Sequence, residues 1–148
     1  MTSKQLQAAT DGATRVAEVL PPSVHPQVFQ QTVNQADMAI SITDAQGNIL
    51  YVNPAFTRVT GYASEEAVGQ NQSIVSDHSM PRDFYRALWQ TISHGEPWRG
   101  HLVNRRKDGS RYLAELSISP VVNASGEVLN HLGMHRDITD LHRLESQV

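Results

Sequence analysis

The chain has 148 residues, which is enough for one globular domain that encloses a ligand in its core. Hydrophobic residues at 39%, charged residues at 18% and the lack of an apolar run near the roughly 20 residues that span a bilayer indicate an ordinary soluble protein. A net charge of −3 excludes a general basic surface for nucleic acid, and the absence of cysteine excludes disulfides, thiolate metal sites and thiol redox switching. We expect a cytoplasmic protein, away from membranes, in which any redox response belongs to a bound group.

Residues 1–25 predict an N-terminal helix and a linker. Apolar residues recur there at alternating spacings of three and four and form one seam: Leu6, Ala9, Ala13, Val16 and Leu20. Gly12 and the short length make this helix marginal alone, so we expect it to pack on the sheet or on a second copy of itself, with a frayed terminus as the alternative. Pro21 and Pro22 end it.

The middle of the chain predicts a hairpin followed by helices. Residues 38–43 and 49–52 have strand patterns around a turn at 45–48. Asn53 before Pro54 predicts one helix start, and Ser64 predicts another. A longer helix is predicted over roughly 81–93, ended by Gly95, with five bulky residues on one stripe: Phe84, Tyr85, Leu88, Trp89 and Ile92.

Three long strands are predicted from Trp98 onwards. The pairs Asp108-Gly109 and Ser125-Gly126 indicate tight turns, which favour an antiparallel meander. Residues 137–139 then lead into a final helix over 140–148, which we expect to continue as the signalling helix of a longer protein.

Five short motifs occur in a characteristic order and spacing. They are Ile42-Thr43-Asp44, Asn53-Pro54-Ala55-Phe56, Thr60-Gly61-Tyr62, residues 103–109 (VNRRKDG) and residues 135–139 (HRDIT). Together they resemble a PAS sensory domain over residues 26–139. The resemblance implies an α+β fold: a five-stranded antiparallel sheet with short helices flanking a cofactor pocket. Through residues 39–44, 102–108 and 132–137, the chain is most similar to the FAD-containing redox-sensing domain of NifL-type nitrogen-fixation regulators.

The resemblance implies non-covalent FAD binding and suggests which strand faces meet the flavin. Alternate strand residues share a face, and the implied inner sets are Ala39, Ser41 and Thr43; Trp98, Gly100, Leu102 and Asn104; Ala114, Leu116 and Ile118; and Leu129, His131, Gly133 and His135. The predicted contacts are Ser41, Asn71, Gln72, Trp89, Leu102, Asn104, Leu116 and His135.

Four of these contacts have specific expected roles. Asn104 can accept from the flavin N3–H and donate to a ring carbonyl through one amide, or it can simply bond backbone in its strand. Gln72 and Ser41 are candidate partners at the N5 edge. Trp89 is a candidate apolar wall, with ordinary core packing as the alternative.

Residues 69–75 resemble the flavin-contacting helix of blue-light receptors but depart from it in ways that argue against light sensing. Gln72 replaces the photoreactive Cys, and Ser73 replaces an Arg that grips the FMN phosphate. Ala114 replaces a flavin-contacting Asn, and His135 replaces a Gln that responds to adduct formation. Loss of the Arg is compatible with FAD, whose diphosphate extends towards solvent.

Two further points concern charge at this site. Arg82, Arg99 and Arg136 are candidates to meet the diphosphate, with ordinary surface positions as the alternative. In NifL-type domains a glutamate is expected at Gln72. A glutamine keeps the hydrogen-bonding capacity but cannot exchange a proton at neutral pH, which argues against a proton shuttle there.

Other classes of function are weaker. We expect most of the seven histidines to be solvated, without a metal site, and the body of the 81–93 helix has no His that would serve as a haem ligand. A nucleophile turn, a phosphate-binding glycine loop and kinase motifs are absent, so we predict no catalytic residues and no enzyme activity. A cofactor-free PAS module for dimerisation or partner binding is the main alternative, followed by a receptor for a colourless small molecule.

The sequence therefore predicts an FAD-dependent redox or oxygen sensor within a longer signalling or transcription-regulatory protein. We expect a homodimer formed through the N-terminal helix and the outer sheet face. The output partner is expected to be a downstream effector region or a transcriptional activator.

Overall fold

Five antiparallel strands form one sheet at the centre of the fold. The computed structural model describes residues 27–28, 31 and 37–146. The strands are β1 (Ala39–Asp44), β2 (Ile49–Val52), β3 (Trp98–Arg105), β4 (Arg111–Val122) and β5 (Val128–Asp137), in the sheet order β2-β1-β5-β4-β3. The predicted hairpin, meander and α+β class are confirmed.

Turns at the predicted positions connect the strands. Gly109 and Gly126 have φ of 91° and 82°, as tight turns after β3 and β4 require. Gly47, between β1 and β2, has φ of 87°, and a Cβ there would lie 2.8 Å from the Trp89 ring. Glycine at this turn therefore permits the close approach of a helix that lies far along the chain.

After β2, the described residues form four α-helices and one 3₁₀ helix that pack on or beside the sheet. They are α1 (Pro54–Thr60), α2 (Ser64–Ala67), the 3₁₀ helix (Gln72–Val75), α3 (Arg82–Ser93) and α4 (Thr139–Ser146). The start of α4 is one residue earlier than predicted because the Asp137 carboxylate accepts from Thr139 N at 2.9 Å. Pro81, the first residue of the predicted helix, instead lies one residue before the start of α3.

Asn53 fixes α1 against the sheet. Its Oδ1 accepts from Ile40 N and Phe56 N at 2.9 and 3.0 Å, and its Nδ2 donates to Met38 O at 3.0 Å. The residue is only 1% exposed. Since these bonds are buried, Asn53 both caps the helix and satisfies strand backbone that would otherwise lose hydrogen bonds.

Apolar residues pack on both faces of the sheet. One cluster joins β1 and β2 to α1, α2 and the 3₁₀ helix: Ala39, Ile49, Val52, Phe56, Ala67, Val68 and Val75. A smaller cluster on the opposite face, which we call the outer cluster, consists of Ile42, Tyr51, Val121 and Leu132. The larger cluster closes one end of the inner sheet face and leaves room for a cavity beside it.

Some predicted segments lie outside the described residues. The N-terminal helix over residues 1–25 is among them, as are the last two residues of the predicted final helix. Gln27, Val28 and Gln31, which precede β1, are helical. Within the part of the chain that the structure describes, we find no helix long and apolar enough to cross a membrane.

Candidate functional site

A cavity of about 370 Å³ lies between the inner sheet face, the 3₁₀ helix and α3. This volume is within the range of small-molecule sites. All eight predicted contacts line it: Ser41, Asn71, Gln72, Trp89, Leu102, Asn104, Leu116 and His135. Their use as cofactor contacts stays a prediction, but the structure brings them together around one space.

Strand pairing explains why residues distant in sequence meet here. Ser41 is paired with Gly133, Leu116 with His135, and Asn104 with Tyr112. Because alternate residues share a face, these pairs place the polar groups of β1, β3 and β5 on one surface.

The cavity is shorter than the strands, so several residues on the expected inner faces do not line it. Trp98 packs edge-on against Phe84, with ring centroids 5.6 Å apart, and its own indole lies over Gly100. Ala114 packs in a buried cluster with Leu102 and Tyr112. Ala39 belongs to the α1 cluster, and Leu129 is not part of the cavity wall. The expectation that these five positions face a ligand is therefore wrong.

Sequence reasoning missed several wall residues, among them Ser76, His78 and Tyr85. Ser76 forms a bridge with Asn104, and its hydroxyl is 3.1 Å from Tyr85 Oη. His78 adopts a left-handed backbone with φ of 57°. Tyr85 could have been found from the predicted α3 stripe, whereas the loop residues depend on a contact that is distant in sequence.

Trp89 is at the mouth rather than in the core. It is 37% exposed, lines the cavity and packs edge-on against the His131 ring at a centroid distance of 6.0 Å. Gly47 leaves the space for its ring. Its position is therefore that of a wall residue, as in the first of the two predicted alternatives.

The polar wall contains a hydrogen-bonded group and a buried acceptor without a partner. Asn104 Nδ2 is 3.4 Å from Tyr112 Oη, which is 3.0 Å from His135 Nε2. Gln72 Oε1 is buried and has no hydrogen-bond partner among the described residues. Because buried acceptors are normally paired, this oxygen indicates a position for a ligand donor.

Comparison with known proteins assigns the fold to a family. The sequence profile of the PAS fold matches residues 27–138. The chain belongs to the PAS family.

Relatives of this PAS domain include regulatory and receptor proteins. It is 44% identical over 124 residues to the nitrogen fixation regulatory protein of Klebsiella oxytoca. This match covers 84% of the present chain and 25% of the relative. It is 35% identical over 120 residues to the aerotaxis receptor of Escherichia coli K12, covering 80% and 24%. The chain thus spans about a quarter of these relatives. The predicted similarity to nitrogen-fixation regulators is confirmed.

A solved structure shares the architecture. An RNA-binding light-oxygen-voltage receptor superimposes with a TM-score of 0.75 at 29% identity, over 86% of this chain and 39% of that one. This places the PAS domain beside light-oxygen-voltage domains in fold.

The buried ionisable side chains at the PAS cavity are uncharged at pH 7. Burial lowers the pKa of His135 to about 4 and also lowers the pKa of His131. Desolvation raises the pKa of Tyr112 to about 12. His131 and His135 are each 3% exposed, whereas His78, His94 and His101 are exposed. Among the described residues, no cluster of His, Asp and Glu could hold a metal ion.

Of the three arginines proposed for a diphosphate, two are on the wrong face. Arg136 follows His135 in β5, and its guanidinium pairs with Glu115 at 3.3 Å on the outer face. Arg99 likewise alternates with Trp98 and Gly100 and is exposed. Arg82 lies three and seven residues before the mouth residues Tyr85 and Trp89, so it continues their helical stripe.

Proposed function

We propose that this PAS domain is a redox or oxygen sensor that binds FAD non-covalently in the cavity. The observation that carries the proposal is Gln72 Oε1, a buried acceptor that has no partner among the described residues and lies in the wall of a mostly apolar cavity. A flavin ring is planar and largely apolar but has donors and acceptors along one edge. Asn104, Ser41 and Gln72 offer complementary groups to such an edge.

The relatives support this choice. A nitrogen fixation regulatory protein, an aerotaxis receptor and a light-oxygen-voltage receptor are all similar to this chain. The names of the aerotaxis receptor and the light-oxygen-voltage receptor connect the fold with oxygen responses, and the absence of cysteine leaves a redox response to a bound cofactor.

FAD is favoured over FMN by the charge of the cavity wall. Among the described residues, no Arg or Lys lines the cavity, and Ser73 is part of its wall, so these residues offer a terminal phosphate no charge-assisted clamp. FAD avoids this requirement because its diphosphate lies between two nucleotide halves and extends to solvent. Arg82, one turn from Tyr85, is the arginine that we assign to the diphosphate.

The bound flavin supplies reversible electron transfer with a change in protonation at N5. The residues that line the cavity would bind and orient it: Leu102 and Leu116 would contact the ring, Trp89 would close one side, and Asn104 would hold the polar edge. Asn71 shapes the rim, since its Oδ1 accepts from Ser73 N at 3.1 Å. His135 stays neutral because it is buried. No residue is assigned a catalytic role.

Gln72→Leu tests the coupling between cofactor and output. We expect the variant to retain flavin but to lose the redox-linked change in protease sensitivity of α4, because the side chain no longer rearranges its hydrogen bonds. One hydrogen bond has a net worth of only about 0.5–1.5 kcal/mol, enough to bias a two-state equilibrium. Limited proteolysis of oxidised and reduced protein measures the change.

Gln70→Leu, an exposed neighbour outside the cavity, is the matched control. Retained flavin with an unchanged response would remove Gln72 from signalling.

A cofactor-free interaction module and a receptor for a colourless ligand remain distinct alternatives. Both predict a protein that purifies without visible absorption. The cavity favours a bound ligand over a cofactor-free module, because Gln72 Oε1 in its wall is buried and has no hydrogen-bond partner among the described residues.

We also propose a cytoplasmic homodimer that passes its output to a downstream effector region or a transcriptional activator. The outer cluster supplies an apolar surface on the face opposite the cavity, around the buried Ile42. The predicted N-terminal helix would extend this interface. Light scattering on a chain without residues 1–20 should show a weakened dimer, and an unchanged mass would exclude that helix.

A further inference from the structure

The Tyr112 hydroxyl lies directly behind two polar side chains of the cavity wall. It is 3.4 Å from Asn104 Nδ2 and 3.0 Å from His135 Nε2. Asn104 and His135 line the cavity, whereas Tyr112 does not and is 2% exposed. One buried hydroxyl therefore contacts two groups that face the ligand space.

The position of this hydroxyl is fixed by the surroundings of its ring. The His135 imidazole stacks on it with centroids 5.9 Å apart and an interplanar angle of 25°, and the Arg106 guanidinium carbon lies 4.5 Å from its centroid. Arg106 is itself held by Val59 O and by the Asp137 carboxylate. With the ring held in place, the Tyr112 hydroxyl can change only the direction in which its proton points.

The hydroxyl has one proton, so it can donate only one of its two hydrogen bonds, and two arrangements pair this proton and both neighbouring side chains. In one arrangement Asn104 Nδ2 donates to Tyr112, the hydroxyl donates to His135 Nε2, and the imidazole proton is on Nδ1. In the other the amide is turned over, Tyr112 donates to Asn104 Oδ1, and His135 Nε2–H donates to Tyr112. A hydroxyl that accepted from both side chains would leave its own proton buried without an acceptor, and two acceptors facing the hydroxyl would leave one of them unpaired.

Both arrangements are available at neutral pH. The phenol stays protonated and the imidazole stays neutral, since burial moves the pKa of Tyr112 to about 12 and that of His135 to about 4. A neutral imidazole has one N–H, which can be on either nitrogen.

We propose that Tyr112 is a positioning residue that locks the amide orientation of Asn104 to the tautomer of His135. The two side chains then change their donor and acceptor pattern towards the cavity together. A ligand that presents a donor to Asn104 selects the first arrangement, and one that presents an acceptor selects the second. That this selection contributes to redox sensing rests on the proposed flavin function.

The test is a double-mutant cycle read by ¹⁵N NMR of the histidine side chains in the full chain without ligand. Asn104→Asp, measured above neutral pH as a carboxylate, offers only acceptors, so it forces the second arrangement. We expect it to shift the His135 tautomer ratio towards Nε2–H by roughly fivefold or more, as one net hydrogen bond allows. In the Tyr112→Phe background the same substitution should leave the ratio unchanged. Tyr51→Phe, on the other face of the sheet, should preserve the shift.

Two outcomes would overturn the proposal: an equal shift with and without the Tyr112 hydroxyl, or no shift in either background. Amide spectra report whether each variant is folded. If Tyr112→Phe does not fold, replacement of tyrosine by 3-fluorotyrosine strengthens the hydroxyl as a donor and should move His135 towards the Nδ1–H tautomer. An unchanged ratio would then contradict the coupling. The NMR measurement uses protein without flavin. If the protein purifies without colour, the proposed flavin function fails, but the tautomer result is unaffected.

Discussion

Gly133→Leu is expected to abolish ligand binding while the protein stays folded. Gly133 lies in the middle of β5 and lines the cavity. A Cβ at this position would already lie 2.9 Å from Ser41 Oγ, and the rest of the leucine side chain would occupy the ligand space. We expect the affinity for FAD to fall at least about 100-fold, which corresponds to about 3 kcal/mol. Fluorescence titration of the ligand-free protein with FAD measures the loss.

Ser119→Leu is the matched control for this variant. It adds the same side chain to an exposed position of β4 whose parity places it on the outer face, next to the inward-facing Ile118. It should bind FAD as the wild type does. Tight FAD binding by a folded Gly133→Leu protein would mean that the flavin does not use this cavity.

Acid should destabilise the wild type more than a His135→Gln variant. The pKa of His135 is lowered from 6.5 to about 4 by burial, so the unfolded chain binds the proton more readily than the folded one. The stability that depends on neutral His135 is therefore complete above pH 6.5 and is lost as the pH falls towards about 4. Between about pH 7.5 and about pH 5 the wild type should lose about 2 kcal/mol more than the variant.

Urea unfolding at several pH values measures this difference. Carboxylates with lowered pKa, such as Glu115 beside Arg136, also lose stability in acid, but they are common to both proteins and cancel in the comparison. His94→Gln changes an exposed histidine and should keep the wild-type pH dependence. Equal pH dependence in the wild type and His135→Gln would show that His135 is not held neutral by the fold.

Local sequence signals predicted most elements because each of them depends on few neighbours. Glycine at positions 47, 109 and 126 marked turns, and strand alternation grouped the wall residues correctly by face. The alternation of residues along each strand does not show which face of the sheet is buried. That step needed the resemblance to PAS domains.

Features that depend on contacts distant in sequence were not predictable. The bridge from Ser76 to Asn104 positions the loop at the cavity mouth, and Tyr112 meets His135 across 23 residues. Strand parity also could not show where the cavity ends, so Trp98 was assigned to the wall although it packs on Phe84. Packing between elements, rather than local propensity, decided each of these points.

The central claim is that the cavity holds a redox-active FAD. An absorption spectrum of the purified protein, repeated after anaerobic dithionite and again in air, tests it directly, with mass spectrometry of the released cofactor. We predict flavin bands that bleach on reduction and return in air, together with the mass of FAD. A colourless protein, or a Soret band from haem, would contradict it.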